Sequence, residues 1–259
     1  MSLTVALAPS GPEKPRPGNN GLFPLGTASC SDFGPEGQGA TVTFPPPPPR
    51  QFNDDDASRL GTDGFVVLDG WLGSHRALAL ALELQSLLDR GCFAASRVGQ
   101  GAQRQQAAAI RSDKVCWFDV DAAPDVVDGR TGVRPGVEVD LLLGRLRALL
   151  CALNSSCFLA LTDIECHAAC YESGSGYDAH IDAFVGGSRR VISFVLYLNE
   201  GWTAADGGCL RMHGAEGESA FDIEPLFDRL VIFQSRKMLH EVRPVSRRRW
   251  SATGWLSTR

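Results

Sequence analysis

Two of the chain's five histidines stand where they could do metal chemistry. His180 and Asp182 lie two residues apart in the run Tyr177–Ala183, which reads as a strand. A period of two puts the imidazole and the carboxylate on one face and Ile181 on the other. His240 comes much later, just before another strand-like stretch, where an opposing strand can deliver a third ligand. Two imidazoles and one carboxylate grip an ion from one side and leave the remaining positions open, which suits non-haem Fe(II) and dioxygen. An HxD followed by a distant histidine also arises by chance, so the surroundings must carry part of the argument. Arg249 heads the last strand-like run, Pro244 and Val245 shape the turn before it, and Trp255 shares its side of the strand if no bulge intervenes. Tyr197 closes another strand. The other histidines have ordinary surroundings: His75 a helix start, His167 a strand, His213 a glycine turn.

Periodicity gives the framework on which these residues sit. Phe65–Leu68 reads as a short strand. Leu80, Leu84, Leu87 and Leu88 repeat at helical spacing between a capping Ser74 and a terminating Gly91, and a second helix is expected from about Val137 to Leu153. Ser96–Ala109 is rich in Gly, Gln and Ala and is expected to be a mobile loop before a strand-like Lys114–Phe118. After Asn154 the pattern turns to β: Phe158–Cys170, Tyr177–Ala183, Arg190–Leu198, Gly208–His213, Ser219–Ile223, Arg229–Gln234, Glu241–Val245 and Trp250–Ser257. Short strands after two helices predict a mainly β fold with flanking helices, a jelly-roll or closed sandwich with the helices on one outer face.

Composition limits the alternatives. Eleven of the fifteen prolines precede residue 50, so residues 1–50 are expected to form a disordered Pro/Gly-rich tail ending in the stiff Pro45–Pro49 stub, and residues 51–259 to form one domain. No apolar run approaches the roughly 18 residues of a membrane span, and the start lacks the flanks of a secretory signal, so a cytoplasmic or nuclear address is expected. The eight cysteines contain no CxxC pair and read as reduced thiols. With 25 Lys and Arg against 30 Asp and Glu, the chain lacks the cationic surplus that nucleic acid requires. Cys166, His167 and Cys170 do not make a zinc site, because the thiols share one strand face and the histidine takes the other. Asp54–Asp56 reads as a solvated charge cluster, and Gly186-Gly187 and Gly207-Gly208 as strand turns.

Beyond the triad, several stretches in order resemble the Fe(II)- and 2-oxoglutarate-dependent prolyl hydroxylases, most closely their oxygen-sensing hypoxia-inducible-factor (egg-laying-defective nine) branch. They are Ile110–Trp117, Tyr171–Asp182, Arg190–Asn199, Gly207–Arg211, Asp222–Leu230, and Phe233–Pro244 leading to Arg249 and Trp255. The resemblance implies a cupin-like double-stranded β-helix with His180, Asp182 and His240 as iron ligands. It further implies Arg249 and Tyr197 on the distal carboxylate of 2-oxoglutarate, Tyr171 near that cosubstrate, and Arg190 as a partner of Asp182. It implies dioxygen as second cosubstrate, admits ascorbate as an accessory reductant, and makes the substrate a flexible prolyl segment of an intracellular protein, hydroxylated to 4-hydroxyproline, with neither nucleic acid nor membrane as partner. The sequence departs from the pattern in having Tyr171 nine residues before His180, Ala183 after the aspartate, and a proline-rich segment in place of a zinc finger. The charges agree: Fe(II), one aspartate, a dianionic cosubstrate and one arginine sum formally to zero, as a desolvated pocket requires. Two other readings remain at this point: an oxygenase of the same chemistry acting on a lysyl residue, a nucleobase or a small molecule, and a non-catalytic binding module on the same fold.

Overall fold

Hydrophobic periodicity is answered by three helices on one face of a large sheet. The computed structural model describes residues 48–96, 110–118, 136–183, 187–214 and 219–259, all within the compact unit Pro45–Arg259. The expected tail, up to residue 47, and the expected loop beyond Ser96 lie outside the described residues.

The helices are α1 (Asp54–Thr62), α2 (Ser74–Asp89) and α3 (Val137–Cys157). The strands are β1 (Phe65–Asp69), β2 (Ala94–Ala95), β3 (Lys114–Trp117), β4 (Asp163–Tyr171), β5 (Tyr177–His180), β6 (Arg190–Tyr197), β7 (Leu210–His213), β8 (Phe221–Ile223), β9 (Arg229–Gln234), β10 (Leu239–Val242) and β11 (Arg249–Ser257). Seven form a major sheet in the order β1-β9-β6-β11-β4-β3-β2, and four a minor sheet in the order β5-β10-β7-β8. Alternation sorts the major sheet's side chains. Cys166, Ala168, Ile192, Phe194, Leu196, Leu230, Ile232, Ala252 and Leu256 join Leu80, Leu84, Leu142, Leu146 and Leu153 of the helices in one core. The opposite faces of β6, β9 and the minor sheet share a second core around Tyr197, Leu210, Met212, Val231 and Phe233. Between β11 and β4 the strands run so close that a Cβ on Gly254 would collide with the Glu165 carbonyl.

Several expected boundaries move for identifiable reasons. Asp54–Asp56 forms the first turn of α1, in which Asp54 and Asp55 are exposed as expected and Asp56 is buried. Asn53 accepts from the Asp56 amide while the Asp56 carboxylate accepts from the Asn53 amide, and Arg50 clasps the buried Asp56 at 2.8 Å. Arg50 is itself held, its amide donating to the Gly70 carbonyl. Ser74 lies inside α2, whose N-cap is Gly73. Helix α3 runs past Leu153 to Cys157 and ends on Phe158 in the left-handed region, so β4 begins only at Asp163. Among the described residues, no helix is long and apolar enough to cross a membrane.

Candidate active site

The two sheets bring His180, Asp182 and His240 together. His240 lies within β10, not before it, and is the direct register partner of His180 on β5. Strand β5 stops at His180, so strand alternation does not place Asp182. Its neighbour Ala183 donates its amide to the Ser235 carbonyl, and Ser193 on β6 donates its hydroxyl to Asp182 Oδ2 at 2.6 Å. One ligand atom from each of the three residues falls within 4.8 Å of the others. His180 Nε2 is 3.6 Å from Asp182 Oδ1 and His240 Nε2 3.7 Å from Oδ2.

Each imidazole is oriented from behind. His180 Nδ1 lies 2.7 Å from the Asp178 carbonyl and His240 Nδ1 2.9 Å from that of Met238, and a carbonyl can only accept. Both Nδ1 atoms therefore donate, and both Nε2 atoms are turned toward the carboxylate, where each can give up its own proton to ligate a metal. Tyr177 stacks on His180 with ring centroids 3.6 Å apart, and Phe233 meets the His240 ring edge-on. Burial pushes the His240 imidazolium down. Burial alone would raise Asp182, but His180, His240 and the Ser193 hydroxyl more than offset it and hold the carboxyl below its ordinary range. Two neutral nitrogens and one anionic oxygen on one side of a point make a donor set for a divalent first-row metal with open positions.

Across the cavity wall, β11 runs without a register shift from Arg249 to Trp255, so both point to the inner side. Arg249 is 1 % exposed, and its Nε donates to the Gly208 carbonyl at 2.9 Å. Gly208 adopts a φ of +66°, and a Cβ there would collide with Val245 and crowd Arg249 Cδ, so only glycine brings that carbonyl in. The guanidinium lies over the rings of Tyr197 (4.8 Å) and Tyr171 (5.2 Å), its register partner on β4. Among the described residues no carboxylate forms an ion pair with Arg249, and the buried Tyr197 hydroxyl, which can accept from the guanidinium, finds no acceptor for its own proton. A planar cation and a phenol donor, both desolvated and both short of an acceptor, fit one carboxylate. Arg247 and Arg248 instead reach Asp206 and Glu172 at the surface.

Arg190 corrects an expectation. It does not reach Asp182 but pairs with Glu165 at 3.2 Å and lies 3.4 Å over the Trp255 ring. Ser193 takes its place, backed by the Ser235 hydroxyl at 2.9 Å. Neither serine stood out in the sequence, although a polar residue on the inward side of the apolar run Val191–Tyr197 was a readable signal. Also missed was a fork of Arg111 onto the buried Asp113 (2.6 and 2.8 Å), with the guanidinium 4.8 Å over the Tyr177 ring. The segment before β3 thus supports the tyrosine that stacks on His180. Cys166 and Cys170 face away from His167, so the zinc reading stays excluded on geometry.

A major and a minor sheet facing each other, with the histidine-aspartate cluster between them and a buried arginine across from it, define a double-stranded β-helix of the oxygenase type. Residues 166–257 match the 2OG-Fe(II) oxygenase superfamily. Human prolyl hydroxylase EGLN3 is 31 % identical over 202 residues, 74 % of this chain and 77 % of that protein. A Pseudomonas putida prolyl-4-hydroxylase superposes with a TM-score of 0.65 at 35 % identity, covering 80 % of this chain and 98 % of that one. A prolyl hydroxylase from Trichoplax adhaerens, solved with a hypoxia inducible factor oxygen degradation domain peptide fragment, gives 0.64 at 28 % identity, covering 78 % and 87 %. The chain belongs to the prolyl hydroxylase family of 2OG-Fe(II) oxygenases. It spans about half the length of the Egl nine homolog 1 proteins it matches.

Proposed function

We propose that this protein hydroxylates a prolyl residue in a flexible segment of a cytoplasmic or nuclear protein, giving 4-hydroxyproline in an oxygen-dependent and hence oxygen-reporting reaction. His180, Asp182 and His240 hold Fe(II). Arg249 and Tyr197 hold the distal carboxylate of 2-oxoglutarate, and Tyr171 flanks it. The bound iron and cosubstrate supply the oxidising power, with succinate and carbon dioxide as the other products, and no protein acid or base is needed.

The chain's own residues position and shield. The two backbone-held imidazoles and Ser193 fix the ligand set, and the Gly208 carbonyl fixes Arg249 at a set depth. The inner faces of both sheets exclude water, so that an arginine-carboxylate pair gains strength. The observation that carries the reading is the Arg249–Tyr197 pair, buried and lacking an acceptor, on the wall of the same chamber as the histidine-aspartate cluster. Relatives named as prolyl hydroxylases, one solved with a peptide, support a polypeptide substrate.

The test is to incubate the protein with Fe(II), 2-oxoglutarate and the oxygen degradation domain peptide seen with the Trichoplax relative, following succinate and the peptide's mass. Stoichiometric succinate and one added oxygen on proline are expected. Cosubstrate turnover with no prolyl peptide modified would point to a lysyl, nucleobase or small-molecule substrate. Absence of 2-oxoglutarate binding would leave a binding module.

A further inference from the structure

His167 is a buried imidazole that the chemistry above does not use. It sits on the inner face of β4, in register with Trp117 on β3 and Thr253 on β11. It is 1 % exposed and packs against two indoles that also stack on each other at 6.1 Å, with its ring 4.4 Å from that of Trp117 and 5.6 Å from that of Trp255. Among the described residues, neither Nδ1 nor Nε2 has a hydrogen-bond partner. An imidazole left so is unfavourable, and a leucine would fill an aromatic cage at lower cost if packing were its whole task. The location gives the second clue. Trp255 pairs across β11 and β6 with Ser193, whose hydroxyl holds Asp182, so the cage borders the metal-ligand cluster. Trp255 also carries Arg190 over its ring, paired with Glu165.

We propose that His167 is a specificity-determining residue whose ring hydrogen-bonds a backbone amide of the bound polypeptide beside the target proline, an inference that rests on the prolyl hydroxylase reading. The charge state selects the class of ligand. Burial, with Arg111 adding to it, pushes the imidazolium down to about 3, so at neutral pH the ring offers one N–H donor and one lone pair. A neutral peptide group supplies the matching acceptor and donor. A carboxylate would find no charge on the ring, and an ammonium would bring an unpaired cation into the cage. Trp117 is only partly buried, so the indole pair beside His167 is open to solvent at that edge.

The experiment uses the full chain and a library of capped peptides, each with one central proline, scored for the gain of one oxygen. In His167→Leu the melting temperature is expected to stay level or rise and the KM for 2-oxoglutarate to stay unchanged, while the KM for the preferred peptide rises about tenfold. His167→Gln, which keeps a donor and an acceptor, should recover most of the loss. A merely structural histidine would instead lower the melting temperature and leave the peptide KM alone, which would overturn the proposal. Should the leucine variant not fold, the imidazole 15N signals of wild-type protein loaded with Zn(II) and 2-oxoglutarate are followed as that peptide is added. A shift at His167 is expected, and an unchanged signal at saturating peptide would overturn the assignment. Wild-type protein that modifies no peptide at all would overturn the prolyl reading first and this inference with it.

Discussion

His180 and His240 are direct register partners across β5 and β10, with ring centroids 4.3 Å apart, and each leans its Nδ1 on the carbonyl two residues earlier. The identical backbone support on the two strands is what turns both Nε2 atoms toward Asp182. A cluster held this way is oriented before any metal arrives, so its affinity depends on the groups behind the ligands as well as on the ligands themselves.

Asp182 lacks a strand of its own, and Ser193 supplies the orientation. Removing that hydroxyl in Ser193→Ala should weaken Mn(II) binding by roughly 10- to 100-fold without unfolding the protein. His240→Ala, which removes a ligand, should abolish binding in the same titration. If the serine variant binds Mn(II) as tightly as wild type, the hydroxyl does not tune the site.

Arg249→Ala should leave the cosubstrate's distal carboxylate buried with one phenol donor. The expected cost is about 3 kcal/mol, on the order of a hundredfold in the dissociation constant for 2-oxoglutarate. Tyr197→Phe removes one neutral donor and should cost about 1 kcal/mol. Calorimetric titration of 2-oxoglutarate into Mn(II)-loaded protein measures both, and equal effects of the two substitutions would contradict the division of labour.

The sequence was most legible where local periodicity and tertiary packing agree. Helix α2 and the alternating strands of the major sheet came from spacing, whereas the inward role of Arg249 came from its distance to His240 together with the family resemblance, since read alone it belongs to the basic run Arg247–Arg249. It was least legible where a contact spans distant segments. Nothing near Asp182 announces that β5 ends at His180, or that the Ser193 hydroxyl and the Ser235 carbonyl hold Asp182 and Ala183 beyond it. Nor does Arg190 show by itself that Glu165 and Trp255 compete for its guanidinium. Asp54–Asp56 misled because three adjacent carboxylates look like surface, whereas Asn53 and Arg50 convert the third into a buried cap. Phe158 carried no helix-stop signal, since a left-handed phenylalanine ends α3 in the place a glycine usually takes.

Arg111 and Asp113 make a pH-dependent contribution to stability. Burial alone would raise Asp113, but the two-pronged bond from Arg111 outweighs it, and the carboxyl is held below its ordinary value. A folded-state pKa depressed in this way contributes stability that is complete above the ordinary carboxylate range and is lost as pH falls through and below it. Asp113→Ala should therefore destabilise by about 3 to 5 kcal/mol at neutral pH, because it leaves a buried guanidinium alone, whereas replacing both residues by apolar ones should cost less. Urea denaturation at pH 7 and pH 3 checks the sign: the gap between wild type and Asp113→Ala should narrow at the lower pH.

Gly208 links the backbone to the cosubstrate site. Its φ of +66° is one that an L side chain rarely adopts, and the Cβ of alanine would stand 2.6 Å from Val245 Cγ1 and 3.1 Å from Arg249 Cδ. Relief of that crowding must move the 207–209 turn or the Arg249 stem, and either motion breaks the 2.9 Å bond from Nε to the Gly208 carbonyl. Gly208→Ala should thus cost about 1 to 3 kcal/mol of stability through strain. It should also weaken 2-oxoglutarate binding while leaving Mn(II) affinity intact, because the histidines and Asp182 hang from other strands. A variant that loses stability but binds 2-oxoglutarate normally would show that Arg249 keeps its place without that carbonyl. The depth of the guanidinium would then rest on the two tyrosine rings that flank it.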